Sequence, residues 1–498
     1  MDARKAARAL GIAAALVCGV AWLATIAWAL ATLLVRPLDG VEGDVLFEAN
    51  RIRAGYPLWV DPSVGAHEYG EPPARYLVLY PPVWSSLLSL FPRGASPMLA
   101  RVVATLAWLG APAWIVWRSP PERRRVVAIA AIFVTGSYTL TLFGASGRPD
   151  ALAVALSAVA LERASRLARI DTLVGALFAL AAWTKPNVVG AAPGAFLAAA
   201  LLARRASTST SSARAIARGV VGASFVTIAV ALVLARASGG VWLKHLLEST
   251  GQPPSVDWWL AQLASRGPFF LVPLAAALAI GWRSRRDPGA TIATLALATS
   301  TAWCLLSLAK IGSASNYFME PLLAALVVLS RADLPALTPR VSAAAAALAV
   351  AQTAWVGVAS ARSAAEGIPR AREQLAALTS ARELCGAGPT DLVLADEPGL
   401  ELMLDGRVIA TPFQSTHLAR RGLFPIDAWI ADVERPEVRC LVMQDDLLDR
   451  PLDRVDPDHD RFGPELRRTL ASEMSKVGDR GGLVIYARRP RATPSIGP

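Results

Sequence analysis

The chain has 498 residues, of which 54% are hydrophobic, and its mean hydropathy is +0.41. Apolar runs of about 20 residues, separated by short breaks that carry arginine, exclude a soluble globular protein and indicate a polytopic helical membrane protein. The net charge of +11 does not indicate nucleic acid, because residues 1–360 carry 31 Lys and Arg against 17 Asp and Glu, whereas residues 361–498 carry 19 against 22. The basic excess lies in loops between spans, so it indicates which loops face the cytoplasm. No nucleic acid is expected as a partner.

The first apolar run extends from about residue 9 to residue 35 and follows Arg4, Lys5 and Arg8. It is longer than the core of a signal peptide, so we predict an uncleaved span with a cytoplasmic N-terminus. The chain that follows this span then begins on the outer side.

The outer segment, residues 36–96, is long and polar, and two surface helices are predicted in it. Over residues 44–54 the apolar side chains share one helical face and Asp44, Glu48 and Arg51 share another, which predicts a short helix lying on the membrane. The apolar stretch at residues 81–91 has about 11 residues, too few to cross about 30 Å of hydrocarbon. We therefore predict a second surface helix there and not a span.

About eleven spans are predicted in residues 1–360, which form the membrane domain. Those after the first lie at about 97–117, at about 126–143, between Asp150 and about Glu162, on either side of 183–187, before 236, before 283, before 310, at 317–331 and at 341–359. Residues 237–266 form a second outer loop. With this count every break with three or more arginines faces the cytoplasm, whereas a span at 81–91 would invert them all.

Residues 361–498 have a soluble composition and are predicted to form a small α/β domain on the extracytoplasmic face, called here the cap domain. Strands are predicted at 391–394, 407–410, 438–443 and 482–486. A disulfide between Cys385 and Cys440 would suit an oxidising compartment, but two buried free thiols are the expected state.

The outer breaks collect polar residues from distant parts of the chain. They are Glu42, Asp44 and Glu48 in the first loop, Arg148 and Asp150 after span three, Lys185 after span five, and Asn316, Tyr317 and Glu320 after span nine. Acids beside cations suit transfer of a group from a lipid phosphate to a hydroxyl, because a carboxylate can take the acceptor's proton and cations can neutralise the departing phosphate. Interface anchoring and capping are the alternative roles, but convergence on one face favours a site.

Five short motifs carry a resemblance to a known family. In order they are an acidic first loop closing on Arg53-Ala54-Gly55-Tyr56-Pro57, Tyr80-Pro81-Pro82, Gly147-Arg148-Pro149-Asp150, Thr184-Lys185-Pro186 and Asn316-Tyr317-Phe318-Met319-Glu320. The chain resembles the GT-C superfamily of polyprenyl-phosphate-dependent glycosyltransferases, especially the family of protein O-mannosyltransferases and the lipid A aminoarabinose transferase. The resemblance implies a first-loop acid as base and an inverting displacement at the anomeric carbon. It also implies donor phosphate and sugar binding by Arg148, Asp150, Lys185, Tyr80, Asn316, Tyr317 and Glu320.

The catalytic base is the point where the chain departs from that family. The family often has an Asp-Glu pair in the first loop, whereas Val41-Glu42 stands here. Either Glu42 or Asp44 is then the base. We favour Asp44, because a short acidic side chain near the start of a helix is held rigidly and suits the helix dipole.

A divalent metal would need ligands from the two outer loops, as in some GT-C enzymes that this chain resembles. The candidates are His67, Glu68 and His245. Two histidines without a fixed spacing are more often ordinary loop residues, so no metal or other cofactor is assigned.

The sequence therefore predicts an integral glycosyltransferase of the bacterial inner membrane. It would move a hexose or pentose from a polyprenyl-phosphate donor to a hydroxyl of a lipid, glycan or protein acceptor on the extracytoplasmic face. A lipid or glycan transporter would need charges within spans, broken helices and paired repeats, which are not evident. A non-catalytic membrane scaffold is the other alternative, and the departure at Val41 keeps it open.

Overall fold

The computed structural model describes residues 3–68, 71–92, 96–205, 209–249, 253–333, 339–450 and 461–490. Most of these residues are helical. The helices before the cap sheet are α1 (Ala3–Val35), α2 (Gly40–Ala54), α3 (Val83–Ser89), α4 (Ser96–Arg118), α5 (Pro121–Thr135), α6 (Tyr138–Ala145), α7 (Asp150–Leu167), α8 (Thr172–Thr184), α9 (Ala191–Arg205), α10 (Ser209–Ser238), α11 (Val241–Ser249), α12 (Val256–Arg283), α13 (Pro288–Ser307), α14 (Met319–Arg331) and α15 (Pro339–Leu384). A single 3₁₀ turn at Ser315–Phe318 precedes α14.

A helix lies at each position where the sequence predicts a span, with α5 and α6 together at the third. By length and hydropathy, four helical segments of the described chain can cross a membrane. They are Pro97–Arg118, Ile216–Ser238, Val256–Arg283 and Pro288–Ser307. Two bent pairs, α1 with α2 and α5 with α6, raise the number to six if each pair is one span. The total of eleven spans stays a prediction.

Helix α7 lies at the centre of the membrane domain, in contact with α4, α8, α13 and α14. Seven of its eleven buried residues are alanine or serine, and such small side chains let neighbouring helices in a membrane approach closely. The first residue of α7 is Asp150, which is therefore held at one end of a tightly packed bundle.

The cap domain contains a four-stranded sheet with the order β1-β2-β4-β3. Its elements are β1 (Leu392–Ala395), α16 (Pro398–Asp405), α17 (Pro412–Ala419), α18 (Ile426–Val433), β2 (Val438–Met443), α19 (Pro464–Glu473), β3 (Met474–Arg480) and β4 (Leu483–Arg488). Strands β1 and β2 are parallel, whereas β4 is antiparallel to both β2 and β3.

Two details of the strand prediction are wrong. Residues 407–410 are not part of the sheet, because the Glu401 carboxylate binds the backbone N–H groups of Ile409 and Ala410, and Ala410 forms only an isolated bridge to Arg75. Strand β3 was not predicted, since it is a polar edge strand whose side chains are mostly exposed and leave little apolar alternation in the sequence.

The expectation of free thiols in the cap is also wrong, because Cys385 and Cys440 form a disulfide. The end of α15 packs on β2 and brings the two Cα atoms to 5.6 Å, within the range that a disulfide requires. This link joins the long helix to the cap sheet across 55 residues of sequence.

The prediction that residues 44–54 form a helix lying on the membrane is wrong, because these residues belong to α2, whose polar face is buried. Asp44, Glu48 and Arg51, on its polar face, are only 4%, 1% and 0% exposed. The polar face is covered because α16 of the cap, α3 and the rest of the first outer loop all pack on α2. Helix α3 lies within predicted residues 81–91 and, at seven residues, is too short to span.

Candidate active site

Asp150, Lys185 and Asn316 meet where three elements begin or end. Lys185 follows the last residue of α8 and donates to Asp150 Oδ1 at the start of α7. The side-chain nitrogen of Asn316 donates to the same oxygen at 2.6 Å. Asp150 and Lys185 are 2% and 4% exposed, so this pair is almost completely removed from solvent. The structure thus brings together three residues that the sequence placed at one outer face.

Tyr80 and Arg148 border this pair. The Lys185 ammonium lies 5.6 Å from the centre of the Tyr80 ring, and the Arg148 guanidinium lies 5.0 Å from the centre of the Phe143 ring. Burial would lower the pKa of Arg148, but the charges of Asp39 and Asp150 raise it above its ordinary value. Arg148 is therefore a permanent cation at the edge of the group.

The two tyrosines near the pair keep their hydroxyl protons. Burial, followed by the charge of Asp150, raises the pKa of Tyr80 and raises that of Tyr317 to about 12. Each phenol is therefore a neutral hydrogen-bond donor at physiological pH. Uncharged donors beside two cations suit an anionic ligand such as a phosphate.

Several buried atoms of this group have no hydrogen-bond partner among the described residues. They are Asp150 Oδ2, Arg148 Nε and Asn316 Oδ1. Buried polar atoms are normally satisfied, so orphaned atoms from three separate elements in one place are typical of a ligand site.

Glu42 is completely buried and bound on both oxygens. Arg101 of α4 donates from Nε to Oε1 at 2.9 Å and from Nη2 to Oε2 at 2.8 Å, and Gly147 N donates to Oε1 at 2.7 Å. Glu42 therefore joins α2 to α4 and to the loop before Asp150. A buried carboxylate whose two oxygens are both bound by charged or backbone donors is a strong structural tie.

Asp44 has the opposite environment, although it lies only two residues further along α2. It is 4% exposed and accepts no hydrogen bond from the residues that the structure describes. Burial, followed by the negative charges of Glu48 and Glu397, raises the pKa of Asp44 well above its usual range. An unbound carboxylate with a raised pKa is suited to accept a proton.

Glu48 lies one helical turn beyond Asp44 on α2. The hydroxyl of Ser85 donates to Glu48, and burial raises the pKa of this carboxyl to about 8. Glu48 is therefore largely protonated at neutral pH, which limits the repulsion between two acids on one helical face.

Sequence reasoning missed Glu397, an acid that the cap domain contributes to this group. It precedes α16, and Arg461 binds both Glu397 Oε1 at 2.6 Å and Asp396 Oδ2 at 3.0 Å. Burial raises the pKa of Glu397, and the charge of Asp39 raises it further. No local signal marks Glu397, because only the docking of α16 on α2 brings it near Asp44.

Asp39 was also missed, although the sequence carried a signal for it. Asp39 accepts from Glu42 N at 2.8 Å, and the Glu42 carboxylate accepts from Asp39 N, so the two residues form a capping box at the start of α2. The spacing of an N-cap residue and a glutamate three positions later is the signature of this motif. Burial would raise the pKa of Asp39, but the charges of Arg148 and Arg36 lower it.

Glu320, which the sequence placed with the donor-binding residues, has a different environment. It accepts from Ser157 Oγ at 2.8 Å and from the backbone N–H groups of Gly190 and Ala191 at 3.1 and 3.3 Å. Gly190 and Ala191 begin α9, so Glu320 caps that helix and ties it to α7 and α14. It does not contact Asp150 or Lys185.

The candidate metal ligands do not form a metal site. Both ring nitrogens of His245 are bound to backbone, Nδ1 by Val78 N and Nε2 by Val60 O, each at 2.9 Å. Burial lowers the pKa of His245 to about 4, so the ring is neutral and fully bound. Glu68 pairs with Arg51 at 3.0 Å, and His67 hydrogen-bonds to Glu71 at 2.6 Å.

Apolar and aromatic side chains surround a small recess beside Tyr80. The rings of Trp183 and Trp242 are 6.0 Å apart on its wall, which comes from α8, α10, α11 and the first loop. Its other lining residues are Trp59, Val78, Pro81, Pro82, Leu234 and Leu246. The recess is small, and what it adds to the site is an apolar, aromatic surface next to the polar group.

Comparison with solved structures identifies the fold. The chain matches ArnT from Cupriavidus metallidurans, bound to undecaprenyl phosphate, with a TM-score of 0.54 at 15% identity, over 98% of this chain and 99% of that one. The apo state of the same protein matches with a TM-score of 0.54 at 15% identity, over 97% and 98%. The arabinofuranosyltransferase AftD from Mycobacteria matches with a TM-score of 0.42 at 16% identity, over 95% of this chain and 40% of that chain. No family model and no curated protein matches the sequence. The chain is an integral membrane protein with the fold of the GT-C glycosyltransferases.

Proposed function

We propose that the protein is a membrane glycosyltransferase that takes its sugar from a polyprenyl-phosphate donor. The observation that carries the proposal is a buried, unbound carboxylate, Asp44, in the same group as the cations Arg148 and Lys185. The GT-C fold supports it, as does the undecaprenyl phosphate bound to ArnT, a protein of the same fold.

In the proposed reaction Asp44 acts on the acceptor, whereas Arg148 and Lys185 act on the donor phosphate. Asp44 takes the proton of the acceptor hydroxyl while that oxygen forms a bond to the anomeric carbon of the donor. The bond from the anomeric carbon to the phosphate oxygen breaks, and its electron pair leaves with the polyprenyl phosphate. Arg148 and Lys185 stabilise the charge that develops there. Attack opposite the leaving group inverts the anomeric centre.

The surroundings of Lys185 give it a defined position for this task. Lys185 is paired with Asp150, and Asn316 donates to the same carboxylate. The Tyr80 ring lies against the Lys185 ammonium. A buried ammonium fixed in this way costs little reorganisation when a phosphate charge appears beside it. The apolar surface of Trp183 and Trp242 beside Tyr80 would contact the first isoprene units of the donor.

The outer leaflet is the proposed side of the reaction, with the N-terminus in the cytoplasm. Breaks rich in arginine lie at the other ends of the helices that carry Asp150 and Lys185, which favours a cytoplasmic position for those breaks. The disulfide between Cys385 and Cys440 supports an oxidising, extracytoplasmic environment for the cap domain.

The test is transfer activity of the purified full chain in detergent with a panel of polyprenyl-phosphate sugars and hydroxyl acceptors. Asp44→Asn should lower kcat by at least about 100-fold, the usual scale for loss of a general base. Asp61→Asn is the matched control, because Asp61 is a first-loop acid that pairs with Lys244 outside the site. Full activity of Asp44→Asn would end the assignment of the base, and no product from any donor would end the proposed function.

A further inference from the structure

A large basic cavity opens at the face of the membrane domain opposite the candidate active site. Its volume is about 840 Å³, and it lies between the chain after α7, the end of α9, the start of α10 and the turn from α12 to α13. Six arginines line it: Arg169, Arg205, Arg214, Arg218, Arg285 and Arg286. No part of the proposed transfer reaction uses this cavity.

The length of α7 separates the two sites. Asp150 is the first of the 18 residues of α7, and the cavity begins just beyond its last residue. At about 1.5 Å per residue the helix is about 27 Å long, close to the thickness of the hydrocarbon core. If the active site lies at the outer leaflet, the cavity lies at the level of the inner headgroups.

The arginines of the cavity differ from other arginines on the same face. Arg163 pairs with Asp171 at 2.6 Å, Arg331 pairs with Glu162 at 2.9 Å, and Arg123 pairs with Asp333 at 2.6 Å. In contrast, four cavity arginines form no ion pair with an acid that the structure describes: Arg169, Arg205, Arg218 and Arg286. Arginines that only set the orientation of the helices in the membrane need to lie on the inner side. They do not need to be unpaired or to surround a shared cavity.

The other lining residues that the structure describes are apolar. Ala199 and Leu202 of α9 and Ile216 of α10 line it. Leu197 of α9 and Val220 of α10 are also apolar and about half exposed, at 50% and 49%. A free phosphate ion would use the arginines but not this surface, whereas a lipid would use both.

We propose that the cavity binds the headgroup of an anionic phospholipid from the inner leaflet. The arginines neutralise the phosphate, and the acyl chains lie along α9 and α10. Basic pockets between membrane helices on the cytoplasmic side recognise anionic headgroups through this combination of charge and apolar contact. The proposal does not depend on glycosyl transfer, since it uses no residue of the outer site.

Lipid binding by the full-length protein tests the proposal. Delipidated protein in a neutral detergent is titrated with phosphatidylglycerol, with phosphatidylcholine and with inorganic phosphate, and bound species are counted by native mass spectrometry. Arg218→Gln with Arg286→Gln removes two cavity charges. Arg125→Gln with Arg283→Gln is the control, because it removes two exposed charges from the same face outside the cavity.

We expect saturable binding of phosphatidylglycerol, at least about tenfold weaker in the cavity variant and unchanged in the control, since the cavity variant loses two of the cations that attract the headgroup. Equal weakening in both variants, or equal binding of phosphatidylcholine, would overturn the proposal. Saturation by inorganic phosphate at the same concentration would assign the cavity to a free anion.

A second measurement uses the unaltered protein and so does not depend on the folding of variants. Phosphatidylglycerol with a photoreactive acyl chain is bound and irradiated, and the cross-linked peptides are mapped. Cross-links concentrated in the end of α9 and the start of α10, and competed by unlabelled phosphatidylglycerol, are the expected result. Cross-links spread evenly around the membrane domain would contradict a specific site.

Discussion

A Cβ atom placed on Gly43 would lie 2.2 Å from the backbone nitrogen of Gly399, so helix α2 and the cap domain touch backbone to backbone. No side chain fits between them at this point. The contact lies next to Asp44 on one side and two residues from Glu397 on the other. The cap therefore forms one wall of the candidate active site, and its position depends on two glycines.

We expect Gly43→Ala to displace the cap from α2. Because the clash is with backbone, it cannot be relieved by rotating a side chain, and overpacking of this kind costs about 1–3 kcal/mol. Transfer activity should fall at least about tenfold, while the membrane domain stays folded. Gly110→Ala is the control, since a Cβ there meets nothing within 4 Å. Equal activity in the two variants would contradict the role assigned to the contact.

Glu42→Gln should lower the stability of the fold, whereas Asp44→Asn should abolish transfer without lowering stability. Glu42→Gln leaves Arg101 buried without its counter-ion, which costs about 3 kcal/mol and should lower the thermal midpoint. Asp44→Asn removes a repelled charge, so its midpoint should be unchanged or higher, while transfer is lost. Thermal unfolding in detergent measures the first effect and transfer rates the second. A stable, inactive Glu42→Gln protein would instead make Glu42 the base.

Glu397→Gln should change the pH dependence of transfer. Burial is the main reason that the pKa of Asp44 is raised, and the charge of Glu397 contributes to it. A base works when deprotonated, so kcat/KM rises as pH rises through the pKa of Asp44. Removing a nearby negative charge lowers that pKa, and the acid limb should move to lower pH. Glu437→Gln, at an exposed acid of the cap, should leave the profile in place.

Substitutions of Lys185 and Asp150 should be strongly coupled in their effect on the free energy of unfolding, but not in their effect on transfer activity. Lys185→Met leaves Asp150 buried without its cation and should cost about 3–5 kcal/mol of stability. Adding Asp150→Asn removes that charge, so the double variant should recover much of the lost stability. Transfer should stay low in both, because the cation for the leaving phosphate is gone. Recovery of activity in the double variant would show that Lys185 only balances Asp150.

Cysteine labelling should reveal the sidedness. Variants Ser96→Cys and Glu122→Cys place a thiol at the start of α4 and in the first turn of α5, within the arginine-bearing segment that follows α4. In intact cells a membrane-impermeant maleimide should label the first directly and the second only after permeabilisation, because breaks rich in arginine face the cytoplasm. The opposite pattern would move the candidate site to the inner leaflet.

Sequence alone determined the features that depend on local pattern. Apolar length and arginine-bearing breaks placed the helices and put Asp150, Lys185 and Asn316 at the same face, because successive spans run in opposite directions. The order of short motifs indicated the GT-C fold. Even the start of α2 was readable, since Asp39 and Glu42 have the spacing of a capping box.

Only the tertiary structure decided what each acid does. Glu42 and Asp44 are two residues apart and look alike in sequence, yet Arg101 binds one and nothing described binds the other. Glu320 became a helix cap because Gly190 approaches it from another element. Glu397 joined the site only through the docking of α16 on α2. The role of a buried carboxylate depends on its desolvation and on partners from distant parts of the chain, which local pattern does not encode.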